Sequence, residues 1–251
     1  PAGFYYKTFM WPKSFWYKIY EPFIRKTAGF GVASIKKDRE RYEHKYEYCD
    51  LLVAGSGPAG LSSAYAAAKN GAKVIVAEDK PRFGGSLLTN EVTIDNLSGK
   101  AWTDKIITEL KEMPNVIVKN RSQVFGYYDH NMTVMFERIG DHLKDKPKYT
   151  PRQRLWYIRA KEVLLSTGSI ERPIVFGNND TPGIFLSAAA KEYIKVYGVL
   201  VGKKPLIFTN NDSGYETALE FKKNGIDPTI LDTREEHSSE LINSAKNQNI
   251  K

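Results

Sequence analysis

From Cys49 onward the chain alternates short apolar runs with longer mixed segments, a pattern that predicts strands joined by helices. Asp50-Leu51-Leu52-Val53-Ala54 is a near-continuous apolar run, as expected of a parallel strand buried on both faces. The alanines of Leu61 to Asn70 favour a helix that can sit close to a sheet, and Gly71 is suited to end it. Lys73 to Glu78 predicts a second strand, Trp102 to Met113 a helix, and Asn115 to Lys119 a third strand. Val124 to Tyr128, Thr133 to Glu137 and Leu155 to Arg159 then alternate between polar turns, which predicts an antiparallel meander. Val163 to Gly168 returns to the apolar type. A second strand–helix–strand unit follows, with strands at Leu206–Thr209 and Thr229–Asp232, a helix from Ser213 to Asn224, and Gly225 as its stop. The fold class is α/β. The boundaries expected are an arm and linker over 1–48, a nucleotide-binding domain over 49–173 lacking its closing strand, and part of a second such domain over 174–251.

The arm differs from the rest. Phe4, Tyr5, Tyr6, Phe9, Trp11, Phe15, Trp16, Tyr17, Tyr20 and Phe23 crowd a basic stretch broken by Pro12 and Pro22. Such rings can stack on single-stranded nucleic acid, seat at a membrane interface, or pack against another domain or subunit. The prolines and the irregular spacing suit a membrane-surface helix poorly, so packing is the preferred reading. Asp38 to Glu47 reads as a charged linker. A chain that begins at Pro1 without an initiator Met and ends on a polar stretch, Asn243 to Lys251, is expected to be a fragment.

Composition removes several classes. A hydrophobic fraction of 41% over 251 residues supports a packed core. No run approaches the roughly 18 apolar residues of a membrane span, and no signal peptide is present, so a cytoplasmic, membrane-free protein is the default. The single Cys49 excludes an internal disulfide, a CxxC pair and a cysteine-rich zinc site. The net charge of +8 is spread among 29 acidic residues without a long basic block, and a generally basic surface explains it better than nucleic-acid binding.

The chemistry centres on Gly55-Ser56-Gly57-Pro58-Ala59-Gly60, a GxGxxG loop set between a strand and a helix. This is the Rossmann-like arrangement. Gly55 permits the tight turn, Gly57 lets backbone approach a pyrophosphate, and Gly60 lets helix and strand pack. Free N–H groups and the positive helix end favour phosphate there. Glu78 ends the second strand, 18 residues after Gly60, where a carboxylate accepts from a ribose 2′-hydroxyl and repels a 2′-phosphate. NAD or FAD is thus expected rather than NADP. Asp79, Arg82, Gly85 and Ser86 are candidates for the cofactor's other flank, with Thr167 and Gly168 at the far strand end. The second loop, Thr209-Asn210-Asn211-Asp212-Ser213-Gly214, keeps one glycine and places Asp212 toward incoming phosphate, an unfavourable approach of like charges. Asp212 or Ser213 is expected to cap the helix instead, so one dinucleotide is expected, in the first site. No catalytic constellation emerges: His44, His130, His142 and His237 are far apart and read as solvated, no metal-ligand spacing is present, and there is no GxSxG elbow.

The glycine loop, Ser166-Thr167-Gly168 and the second nucleotide-type half resemble the two-dinucleotide-domain flavoprotein reductases with their FAD/NAD(P)-binding domains. Longer strings are more specific. Residues 2–12, then Tyr20-Glu21-Pro22 with Ile24-Arg25, Ser169-Ile170-Glu171-Arg172-Pro173, Asn179-Asp180-Thr181-Pro182-Gly183 and Phe208 to Ser213 resemble the α subunit of heterotetrameric sarcosine oxidase. The resemblance runs from residue 2 to about 232. It implies an NAD-binding part of an oxidoreductase complex that demethylates sarcosine to glycine, with partners in the β, γ and δ subunits. It implies FAD and FMN carried mainly by the β subunit, electrons passing to oxygen, and a tetrahydrofolate site outside this chain. Gly55, Gly57, Gly60 and Glu78 would then be NAD contacts, in a chain without catalytic residues of its own. An autonomous FAD-dependent pyridine-nucleotide oxidoreductase and a non-catalytic scaffold subunit are the alternatives.

Overall fold

The apolar run expected as the first strand is only the end of a longer one. The computed structural model describes residues 11–29, 31, 34–235 and 238–251; Phe4, Tyr5, Tyr6, Phe9 and His237 lie outside the described residues. The chain forms two units, Pro1–Glu40 and Arg41–Lys251. In the first, a π-type turn at Trp16–Tyr20 runs without a break into α1 (Glu21–Thr27), with Pro22 as its second residue. Neither segment contains a buried residue, and Trp11, Tyr17 and Phe23 are exposed.

In the second unit, β1 (Tyr42–Ala54) leads through the glycine loop into α2 (Pro58–Lys69), then β2 (Val74–Ala77). The hairpin of β3 (Thr93–Ile94) and β4 (Leu97–Ser98) precedes α3 (Gly99–Glu112) and β5 (Val116–Lys119). The meander is β6 (Ser122–Tyr128), β7 (Met132–Arg138) and β8 (Gln153–Leu165). One six-stranded sheet has the order β5-β2-β1-β8-β7-β6, with β5, β2, β1 and β8 parallel and β7 and β6 antiparallel.

Two expectations are corrected here. The charged stretch up to Glu47 is not linker beyond Arg41: from Tyr42 it is strand, paired with β8 along its whole length. Its alternation of Tyr42, His44, Tyr46 and Tyr48 with Glu43, Lys45 and Glu47 is the period of two of a strand whose faces are both partly wet. Tyr46 stacks on Tyr157 at 4.9 Å between centroids, and the Lys45 ammonium lies 4.3 Å from the centroid of the Trp156 ring. Likewise Leu155–Arg159 and Val163–Gly168 are not separate strands. Leu155–Arg159 and Val163–Leu165 belong to β8, with Ser166–Gly168 just past its end, and the charged Lys161-Glu162 between them stays in the strand, with Lys161 Nζ 2.7 Å from Asp50 Oδ1.

The sheet is covered differently on its two sides. Val53, Val74 and Val76 pack against Leu61, Ala64 and Ala68 of α2 and Trp102, Ile106 and Leu110 of α3. Leu52, Ile75 and Ala77 pack instead against Met135, Trp156, Ile158 and Ala160 of the meander. Long strands shared by the parallel and antiparallel parts thus give a helix–sheet–meander sandwich. Burial of such side chains contributes about 1.5–3 kcal/mol each relative to exposure.

The second half adds α4 (Ser187–Tyr197), β9 (Leu206–Thr209), α5 (Ser213–Lys223), β10 (Thr229–Asp232) and α6 (Glu240–Asn247). Strands β9 and β10 pair in parallel, as expected. The polar tail expected from Asn243 is helical instead to Asn247, because Ile242 and Ala245 turn one face of α6 onto Tyr215. No helix among the described residues is long and apolar enough to cross a membrane.

Candidate dinucleotide site

The glycine loop is built at the end of β1, where Gly55 takes φ +102° and its N–H donates to the carbonyl of Ala77. A side chain at Gly55 would overlap the Ser166 carbonyl, and one at Gly60 would overlap the carbonyl of Gly55 and the Ser166 hydroxyl. Gly57 differs: nothing lies within 4 Å of the place its Cβ would occupy. Two glycines therefore pack backbone against backbone, and the third faces open space. Pro58 has no N–H to leave unpaired, and no side chain caps α2 at Gly57. The first N–H groups of a helix lack i−4 partners, which leaves those of Ala59 and Gly60 without one in α2. Pro58 and Ala59 are exposed. The cradle fits a pyrophosphate.

Behind the loop, Ser166 Oγ donates to the carbonyls of Ala54 (3.0 Å) and Gly55 (2.9 Å). Thr167 and Gly168, expected to contact cofactor, follow it as exposed residues at the end of β8. Ser166 itself was not among the expected site residues. A hydroxyl before Thr-Gly gives no sign in sequence of which carbonyl it will meet.

In front of the loop, Glu78 is buried and turned inward. Its Oε2 accepts from Ser56 N (3.0 Å) and Ser56 Oγ (2.5 Å), and its Oε1 accepts from Lys80 N (2.9 Å). Gly84 N donates to both the Ser56 carbonyl (3.0 Å) and its Oγ (3.2 Å). Gly85 lies close enough that a Cβ there would come 3.1 Å from Gly57 Cα. Gly55, Ser56, Gly57, Glu78 and Gly85 are thus brought together, with the carboxylate held by the loop it serves.

The remaining flank residues make the following contacts. Asp79 is exposed, and its carbonyl accepts from Arg138 Nη2 at 2.7 Å. The carbonyl of Ser86 closes a turn onto Thr89 and Asn90. Arg82 turns away to the second half, donating from Nη1 to the Val196 carbonyl at 2.9 Å. It lines a cavity of about 230 Å³ with Phe83, Leu88, Lys100 and Lys195, none of them in the glycine loop.

That contact belongs to a wider seam. Lys80 pairs with Glu192 (2.8 Å), and the nearly buried Lys191 donates to Asn90 Oδ1 (2.8 Å) and Glu216 Oε2 (2.6 Å). Lys195 pairs with Glu91 (3.2 Å) and Glu220 (3.1 Å). The segment after β2, which backs the cofactor cradle, is thereby fastened to α4. Sequence reasoning missed this, since α4 carries no capping or glycine signal at Leu186.

The second loop is filled by its own side chains. Gly214 packs on Thr209, whose Oγ1 donates to the Asn211 carbonyl at 2.8 Å. Neither Asp212 nor Ser213 caps α5 with its side chain; Asn211 Oδ1 accepts from Ser213 N (2.9 Å) in their place. The Asp212 carboxylate is drawn instead to Arg234 Nη2 at 2.8 Å, which also binds Asp232 at 2.7 Å. Among the described residues, no group of three or more His, Cys, Asp and Glu could hold a metal ion. The His44 ring lies tilted by 38° against that of Tyr157, 5.7 Å between centroids, and the carbonyl of His130 accepts from Arg159.

Comparison with known proteins agrees with this geometry. The model of the FAD dependent oxidoreductase family matches residues 50–137. The chain is 46% identical to sarcosine oxidase subunit alpha of Rhizobium meliloti (strain 1021) over 234 residues, 93% of this chain and 24% of that protein. It is 37% identical to the same subunit of Corynebacterium sp. (strain U-96), over 84% of this chain and 22% of that protein. It therefore spans about a quarter of the length of these relatives. Among solved structures, L-proline dehydrogenase from P. horikoshii superposes with a TM-score of 0.61 at 24% identity, over 82% of this chain and 40% of that one. The fold is that of the two-dinucleotide-domain flavoproteins.

Proposed function

We propose that this chain, homologous to about a quarter of the sarcosine oxidase α subunit, is the NAD-holding part of an oxidoreductase complex of that type. The observation that carries the reading is the cradle around Gly57 with Glu78 fixed beside it, inside the homologous segment. Gly57, Ala59 and Gly60 would receive the pyrophosphate and Glu78 the adenosine ribose. A bound NAD brings a nicotinamide ring, whose chemistry is hydride transfer. In this reading the chain's own groups bind and orient it. The oxidative demethylation of sarcosine belongs, in this reading, to the assembled complex with its β, γ and δ subunits. Its FAD and FMN lie mainly on the β subunit, and tetrahydrofolate binds outside this chain.

One observation favours a second reading, FAD in this same loop: the matching family model is that of FAD dependent oxidoreductases. Denaturing the purified complex and identifying the released nucleotides by mass separates the two. One NAD per copy of this chain is expected; FAD as the sole dinucleotide, with a stoichiometry of one per copy of this chain plus one per β subunit, would overturn the assignment.

A further inference from the structure

We propose that Ser56 is a positioning residue that decides which ribose hydroxyl Glu78 can recognise, an inference that rests on the dinucleotide reading above. Ser56 is fully buried, and both its N–H and its hydroxyl donate to a single oxygen, Glu78 Oε2. An ionised carboxylate only accepts, with about four lone-pair positions in all. Ser56 fills the two on Oε2 and the Lys80 N–H one on Oε1. One acceptor position is left, on Oε1. The adenosine ribose offers two adjacent hydroxyls, O2′ and O3′, so a carboxylate held in this way reads one of them and not the pair.

The orientation is set from within the loop. The Ser56 hydroxyl has one proton, spent on Glu78, and Gly84 N donates to the same oxygen from the other side. The Glu78 carboxylate cannot rotate away without stranding the N–H and the hydroxyl of the buried Ser56, which costs about 1–3 kcal/mol. The serine also keeps the Glu78 charge close to the ribose edge, where a 2′-phosphate would be repelled. A serine that merely filled space would affect stability and leave the choice between the two hydroxyls untouched.

The test uses the complete complex, stripped of nucleotide and titrated with NAD and FAD and with their analogues lacking the adenosine 2′- or 3′-hydroxyl. Wild type should bind one deoxy analogue about tenfold more weakly than the other, the value of a hydrogen bond to a charged group. Ser56→Ala should level the two analogues to within about twofold, while its circular dichroism spectrum stays that of wild type. Glu78→Gln, which keeps the shape of the side chain, should level them as well. Equal weakening of both analogues in wild type overturns the proposal, as does a preference in Ser56→Ala as strong as in wild type. If NAD fails to bind and FAD fills one site per copy of this chain beyond that of the β subunit, the NAD assignment falls, and the FAD analogues at that additional site then judge Ser56. If neither nucleotide binds wild type, both readings fall.

Discussion

At the scale of single residues, the three loop glycines are not equivalent. Gly60→Ala drives a methyl into the Gly55 carbonyl and should lower the melting temperature by several degrees, corresponding to about 1–3 kcal/mol of overpacking. Gly57→Ala meets nothing in the protein. Its melting temperature should stay within about 1 °C of wild type, given a surface-like cost below about 0.5 kcal/mol, while dinucleotide affinity falls at least about tenfold. Equal thermal effects in the two variants would contradict the packing described. Cys49 is a separate case. It is completely buried in the second core, and desolvation pushes its thiol up to about 12. A thiol reagent at pH 8 should therefore leave it unmodified in the folded protein and titrate it only in denaturant; rapid native labelling would contradict its burial.

At the scale of elements, α4 is the fastener between the halves. Lys191→Met keeps the aliphatic stem and removes the bonds to Asn90 and Glu216, the latter partly exposed and so partly screened. A loss of about 1–2 kcal/mol is expected, with faster amide exchange over 84–91 as the readout. Unchanged exchange there would mean that the seam does not hold the cradle's backing segment. How legible these elements were depended on how much of their signal was local. Strand β2 and helix α5 announced themselves through apolar runs and a glycine stop. The lower half of β1 did not, because its faces carry Glu43, Lys45 and Glu47 against tyrosines, and charge density there imitates a linker. The break within β8 had the same cause at Lys161-Glu162, which pair across the sheet rather than turn the chain. Glu78 was legible as an acid in the right place. That its carboxylate would be claimed by Ser56 depends on rotamers that periodicity does not encode.

At the scale of the molecule, acid should act strongly on the second half. The Arg234 guanidinium holds the Asp232 and Asp212 carboxyls below the usual carboxylate range. Groups depressed on folding stabilise the native state above their unfolded value of about 4, and that stability is lost as pH falls through the folded value. The melting temperature should therefore drop steeply below about pH 4, and Arg234→Met should flatten the drop while lowering the plateau at pH 7. Identical profiles would remove this cluster from the account. The long strands have a consequence for tolerated change. Because β1 and β8 stay paired from Tyr42 and Gln153 up to Ala54 and Leu165, they act as one ruler between the meander and the nucleotide loop. A single residue gained or lost at Lys45 would turn every position on one side of it to the opposite face, whereas the exposed stretch 141–149 can lengthen freely. Natural variation in length among relatives, and any engineered graft, should accordingly gather at 141–149 and spare 42–54.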